Sequence, residues 1–95
     1  MGKPAARIGD DHNCTIARPL PHKGGPILTG AATVLICQRP AARVTDKALC
    51  RGQDDVIATG SATVLIEGLP AARIGDRTVH DGVIVEGAET VLIGD

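Results

Sequence analysis

The heptapeptide PAARIGD occupies residues 4–10 and recurs unchanged at 70–76, with a close variant, PAARVTD, at 40–46. A second phrase travels with it: GAATVLI at 30–36, GSATVLI at 60–66 and GAETVLI at 87–93. Three ordered copies of one unit restrict the chain to an internally repeated fold, because each short unit can bury its apolar face only against its neighbours. The repeats run roughly 4–36, 40–66 and 70–93 within a single domain over residues 1–95.

Each unit predicts β structure. The runs TVLI at 33–36, 63–66 and 90–93 are short and rich in β-branched residues, with Gly on one side and turn residues on the other. Cys37-Gln38 and Glu67-Gly68 each join such a run to the next Ala-Ala-Arg segment, at hairpin spacing. Pro4, Pro40 and Pro70 stand where strands begin, the position at which a missing N–H costs a ladder least. A third strand, ending in ILTG, IATG or IVEG, precedes each TVLI run. No segment sustains a 3.6-residue period, so the expected fold is all-β, with short antiparallel strands and little or no helix.

Composition excludes several functions. The chain has no Phe, Tyr or Trp and a formal net charge of −1. It therefore lacks both the cationic surface and the stacking platform of a nucleic-acid binder. No stretch reaches the roughly 20 apolar residues that cross a bilayer, and residues 1–11 contain no apolar signal segment. A small aliphatic core calls for an external staple: a metal, a disulfide or a partner surface. Three cysteines in a chain that begins life in the cytosol point to metal ligation rather than disulfides.

The segments between the repeated phrases, 11–29, 47–59 and 77–86, hold all three histidines and two of the three cysteines. Cys14, Cys50 and His80 share one register, four residues after Asp10, Asp46 and Asp76. Packing about a pseudo-threefold axis would bring these loops to one end and their thiol and imidazole groups to a common point, with His12 and His22 nearby. Such donors select zinc. Register favours Cys14, Cys50, His80 and His22; exchanging Cys14 for His12 gives three His and one Cys, and spacing leaves both sets open. Four protein ligands make a closed, structural site, worth on the order of 10–16 kcal/mol in small zinc domains.

These units, with the PAAR tetrapeptide, the GD…C/H spacing, PHKGG and TVLI, resemble the PAAR-repeat proteins over essentially all 95 residues. The resemblance implies a small cone or pyramid whose base docks on the trimeric VgrG spike of a type VI secretion system, one chain per trimer. It implies a structural tip, not an enzyme, that sharpens the spike and assists membrane puncture and effector delivery. It also implies one zinc ion near the apex held by His12, His22, Cys50 and His80, with Cys14 as a neighbour. The chain would be cytoplasmic before firing and secreted on firing, a monomer on its own, without a C-terminal effector extension. The tip of a contractile phage tail is the alternative machine. A small zinc hydrolase is the rival class; Asp11, Asp54 and Asp55 would be its candidate bases, but HExxH, GxSxG and a phosphate loop are absent.

Three local readings complete the sequence-based expectations. The repeated Arg and Asp (Arg7/Asp10, Arg43/Asp46, Arg73/Asp76) are expected to pair locally, Asp capping a turn, rather than grip a partner. Thr45 replaces Gly9 and Gly75, which suggests that this position serves close packing and does not require a positive φ. Cys37 lies outside the loop register, and its role is not assigned.

Overall fold

The computed structural model describes residues 2–13, 24–50 and 54–94. They form eleven short strands: β1 (Lys3–Ala5), β2 (His12–Asn13), β3 (Gly24–Ile27), β4 (Leu35–Ile36), β5 (Arg39–Pro40), β6 (Lys47–Cys50), β7 (Asp55–Val56), β8 (Leu65–Ile66), β9 (Leu69–Pro70), β10 (Val83–Ile84) and β11 (Ala88–Ile93). All named pairings are antiparallel, and the described residues contain no helix. The all-β expectation holds.

The predicted hairpins are present. β4 pairs with β5 across Cys37 (φ 49°) and Gln38 (φ 70°), and β8 pairs with β9 across Glu67 (φ 52°) and Gly68 (φ 83°). Two consecutive positive φ values give the turn whose twist matches the flanking strands. The third hairpin joins the two ends of the chain: Leu92 faces Pro4 and Ile93 faces Lys3 in β11–β1. Leu35–Pro40 and Leu65–Pro70 stand in the same register. Sequence-distant strands thus close the repeat array into a ring.

That ring has a hydrogen-bonded centre. Ala6 N donates to Ala72 O (2.9 Å), Ala72 N to Ala42 O (3.0 Å) and Ala42 N to Ala6 O (2.9 Å), a closed cycle. An outer cycle runs from Ile8 N to Pro40 O, Val44 N to Pro70 O and Ile74 N to Pro4 O. Three backbones can converge this closely only if the side chains are small, and all six Ala-Ala residues are fully buried. These segments are core and leave no apolar surface to solvent. Close approach also explains Gly30, Gly60 and Gly87: an added Cβ would lie 2.7, 2.7 and 2.8 Å from the carbonyls of Ala41, Ala71 and Ala5.

The alanine cycle separates two aliphatic layers. One gathers Ile36, Ile66 and Ile93 with Ala5, Ala41 and Ala71, flanked by Val34, Val64 and Val91. The other gathers Ile27, Ile57 and Ile84 with Ala6, Ala42, Ala72 and Ala48. Each buried isoleucine contributes roughly 1.5–3 kcal/mol, and the threefold sets replace the single aromatic-rich centre that this composition cannot build.

The Arg–Asp pairs are local, as expected. Arg73 donates to Asp76 from its backbone N (2.8 Å), Nε (3.0 Å) and Nη2 (3.1 Å), and Asp76 N returns a bond to Arg73 O. Arg7–Asp10 and Arg43–Asp46 repeat this arrangement. Hydrogen bonding to Asp10 and Asp46 raises the pKa of Arg7 and Arg43 against the opposing effect of burial. The pairs close tight turns and are not a free charged ring.

The reading of Thr45 is corrected. Gly9, Thr45 and Gly75 have φ values of 93°, 80° and 93°. Their N–H groups donate to Ile27, Ile57 and Ile84 O, each at 2.9 Å. Positive φ is needed to aim those donors, and no heavy atom would meet a Cβ at Gly75. The turn geometry selects glycine at all three positions, with the tip of Arg39 also 2.9 Å from where a Gly9 Cβ would sit, and Thr45 adopts a conformation that disfavours β-branched residues.

Candidate functional site

The loop layer carries the chemistry. β6 alternates its faces: Ala48 and Cys50 turn inward, and Lys47 and Leu49 outward. In repeat register His12, Ala48 and Thr78 are equivalent, as are Cys50 and His80. Cys50 is buried, and His80 Nδ1 lies 3.4 Å from its Sγ. Zinc bonds of about 2.0–2.1 Å to nitrogen and 2.3 Å to sulfur at a tetrahedral angle would separate the two donors by about 3.5 Å. The Cys50–His80 pair fits that spacing.

Asp55 organises the surroundings. Its carboxylate is fully buried and accepts the backbone N–H groups of Val56 (2.8 Å) and His80 (3.0 Å) on Oδ1. His12 Nε2 approaches its Oδ2 at 3.1 Å. Burial pushes the Asp55 pKa up, but the Thr78 hydroxyl, the His80 and Val56 N–H groups and the charge of His80 prevail and lower it. A buried carboxylate saturated by these donors is a structural acceptor, so the hydrolase reading loses Asp55 as a base. The seam between the first and third repeats does hold a cleft of about 410 Å³, lined in part by Arg7, Asp10, Arg39, Glu86 and Glu89. It shares no residue with the cysteine–histidine cluster.

Of the four residues expected to hold zinc, Cys50 and His80 are brought together. His12 is nearby through Asp55, but its Nδ1 also meets Gly25 O at 2.9 Å, so both ring nitrogens face oxygen acceptors. His22 and the alternative ligand Cys14 lie outside the described residues. Among the described residues, no group of three or more His, Cys, Asp or Glu side chains is arranged to hold a metal ion. The donor chemistry of Cys50 and His80 suits zinc, while the His12 ring is turned toward Gly25 O and Asp55 in these contacts. Asp55 was named in the sequence only as a loop acid; its equivalents, Gly25 and Gly82, would have marked it as the residue that breaks the repeat.

At the hairpin end the surface is apolar and regular. Leu35, Leu65 and Leu92 are 60%, 61% and 59% exposed, one per repeat, while the adjacent Ile36, Ile66 and Ile93 are buried. Cys37 is exposed on the first hairpin turn, its Sγ 3.7 Å from Thr90 Oγ1. At the corresponding turn Glu67 instead binds Arg43 Nη1 (2.9 Å) and the N–H and hydroxyl of Thr33.

Comparison with known proteins agrees with this construction. No curated protein matches the chain. The family model for the PAAR motif matches residues 17–86, well over half of the sequence and including the second and third heptapeptides. With three copies of the motif paired about a pseudo-threefold axis, the chain belongs to the PAAR-motif family.

Proposed function

We propose that this chain is the tip of a type VI secretion spike, docking through its hairpin end on the trimeric end of VgrG with one chain per trimer. Family membership supports a structural spike-tip protein that associates with spike proteins. The observation that carries the finer reading is the set of three leucines with nearly equal exposure. A single chain with threefold internal repetition can meet a threefold trimer without a symmetry mismatch. Full burial of three leucines supplies less than about 9 kcal/mol. Association itself costs about 4–15 kcal/mol, so the hairpin strand edges must also take part, by pairing with the open edges of the spike.

In this reading one zinc ion sits at the loop end, held by Cys50 and His80 with further donors from the first loop, and stiffens the point. Bound zinc would supply a structural cross-link between loops that are distant in sequence. The chain waits in the cytoplasm, leaves with the spike on firing, assists membrane puncture and accompanies effectors carried by the same spike. Mixing the chain with a trimeric VgrG and weighing the complex by native mass spectrometry tests the docking. One chain per trimer is expected; three per trimer, or no complex at micromolar concentration, would overturn it.

A further inference from the structure

We infer that Cys37 is an oxidation site: a peroxide converts its thiol to a sulfinate, and that anion completes a carboxylate slot which the fold has already built from Arg7 and Thr90. The site lies at the hairpin end and depends neither on zinc nor on docking.

The slot recurs with the repeat, and its other copies show what it holds. Beside Arg43 and Thr33 stands Glu67, whose carboxylate accepts from Arg43 Nη1 (2.9 Å), Thr33 N (2.8 Å) and the Thr33 hydroxyl. In the copy with Arg73 and Thr63, Arg73 Nη1 reaches Gly94 O (3.3 Å) and Thr63 N is served by Ser61 Oγ (3.1 Å). The remaining copy pairs Arg7 with Thr90; there Cys37 takes the place of Glu67, and Ala88 that of Ser61. The Arg7 side chain is only 10% exposed, and Asp10 occupies its Nε and Nη2. The acceptor offered to this copy is a thiol, a weak one, with Sγ 3.7 Å from Thr90 Oγ1. Arg7 senses it: hydrogen bonding to Asp10 does most to raise its pKa against burial, and the charge and hydrogen bonding of Cys37 add to the rise.

Cys37 is exposed, so an oxidant reaches it. Its thiolate attacks one oxygen of hydrogen peroxide: an S–O bond forms, the O–O bond breaks, and the released hydroxide takes up the thiol proton and leaves as water. Sulfur gives two electrons to the peroxide. Cys50, the other cysteine among the described residues, is buried at the opposite end, so no described thiol intercepts the sulfenate. A second peroxide repeats the step and yields the sulfinate. Like a carboxylate, a sulfinate carries two oxygens and one negative charge on a single centre. From a sulfur 3.7 Å away, one S–O bond brings an oxygen within reach of the Thr90 hydroxyl, about 2.5–2.7 Å for an anionic acceptor. The backbone is already matched, with φ 49° at Cys37 and 52° at Glu67.

The test treats the intact chain with hydrogen peroxide and locates the product by tandem mass spectrometry. Cys37 should gain two oxygens; an unmodified Cys37, a product that stops at one oxygen, or a Cys37-linked dimer would overturn the inference. A second arm supplies the anion without an oxidant. Cys37→Glu and Cys37→Asp should melt a few degrees above Cys37→Ser at pH 7, and adding Thr90→Val should shrink that gain. Both positions are exposed and the Arg7–Asp10 pair stays intact, so these variants keep the fold. The gain should also fade as pH falls below the ordinary carboxylate range of about 3.9–4.3, because the slot favours the ionised form. Equal melting of the Glu, Asp and Ser variants, or a gain untouched by Thr90→Val, would show that no carboxylate slot exists there.

Discussion

The hairpin end and the loop end are built from the same three repeats, yet they obey opposite rules. At the hairpin end the threefold pattern is kept in the strands, though not in the turns: Leu35, Leu65 and Leu92 outward, and Ile36, Ile66 and Ile93 inward. At the loop end equivalent positions carry His12, Ala48 and Thr78, or Gly25, Asp55 and Gly82. The aliphatic layer between the cycle of alanines and the loops is the last level at which the isoleucines still match. A surface that meets a symmetric partner must present itself three times, whereas a point has a single centre and needs unlike donors around it. Symmetry is kept where three contacts are equivalent and lost where three chains of atoms converge on one spot.

The comparison can be broken most severely at the loop end. On the zinc reading proposed above, a chelator should lower the melting temperature more than any single substitution below, given the order of 10 kcal/mol that structural zinc contributes in small domains. Differential scanning calorimetry of His80→Ala should show no such chelator effect. Next in size is the level between the ends. Asp76→Ala leaves the nearly buried Arg73 without its carboxylate and should cost about 3–5 kcal/mol in urea unfolding. A loss below about 1 kcal/mol would mean that these pairs are incidental.

At the hairpin end the expected effect is on binding instead. Leu65→Asp should abolish spike docking, measured by calorimetric titration, while changing stability by no more than about 0.5 kcal/mol, as for surface substitutions generally. Equal loss of stability and docking would show that the leucines serve the fold and not a partner. Glu67 gives a pH signature at the same end. The Thr33 hydroxyl and N–H, with Arg43, hold its carboxyl below the ordinary value against burial. Its contribution is therefore present above the unfolded pKa of about 4.3 and fades as pH falls through the lower folded value. Glu67→Gln should flatten the acid limb of the stability curve, and an unchanged limb would show the contact to be inert. The smallest effect expected is a gain. Thr45→Gly should stabilise the chain by roughly 0.5–1 kcal/mol, as relief of left-handed strain exceeds the added chain entropy. A loss would show that the Thr45 side chain contributes more than its strain costs.

The repeat, the β content, the hairpin turns and the local Arg–Asp pairs were legible in the sequence, because each is a local property written three times. Thr45 was misread because one tolerated substitution cannot reveal a φ that a tertiary hydrogen bond to Ile57 O imposes. The burial of the Ala-Ala segments was not legible for a similar reason: alanine is compatible with either surface or core, and only the convergence of three backbones makes it obligatory.

The candidate site divides along the same line. That Cys50 and His80 share a register, and so an end of the molecule, follows from counting residues after Asp46 and Asp76. That Asp55 reaches His12 and His80 could not be counted, because 43 and 25 residues separate it from them and its counterparts are glycines. Sequence by itself determined the three-part architecture, the strands and the chemical type of donors at the loop end, since these depend on periodicity and composition. Tertiary structure alone decided which nitrogen faces which oxygen, because hydrogen bonds between buried groups are set by the packing of distant strands.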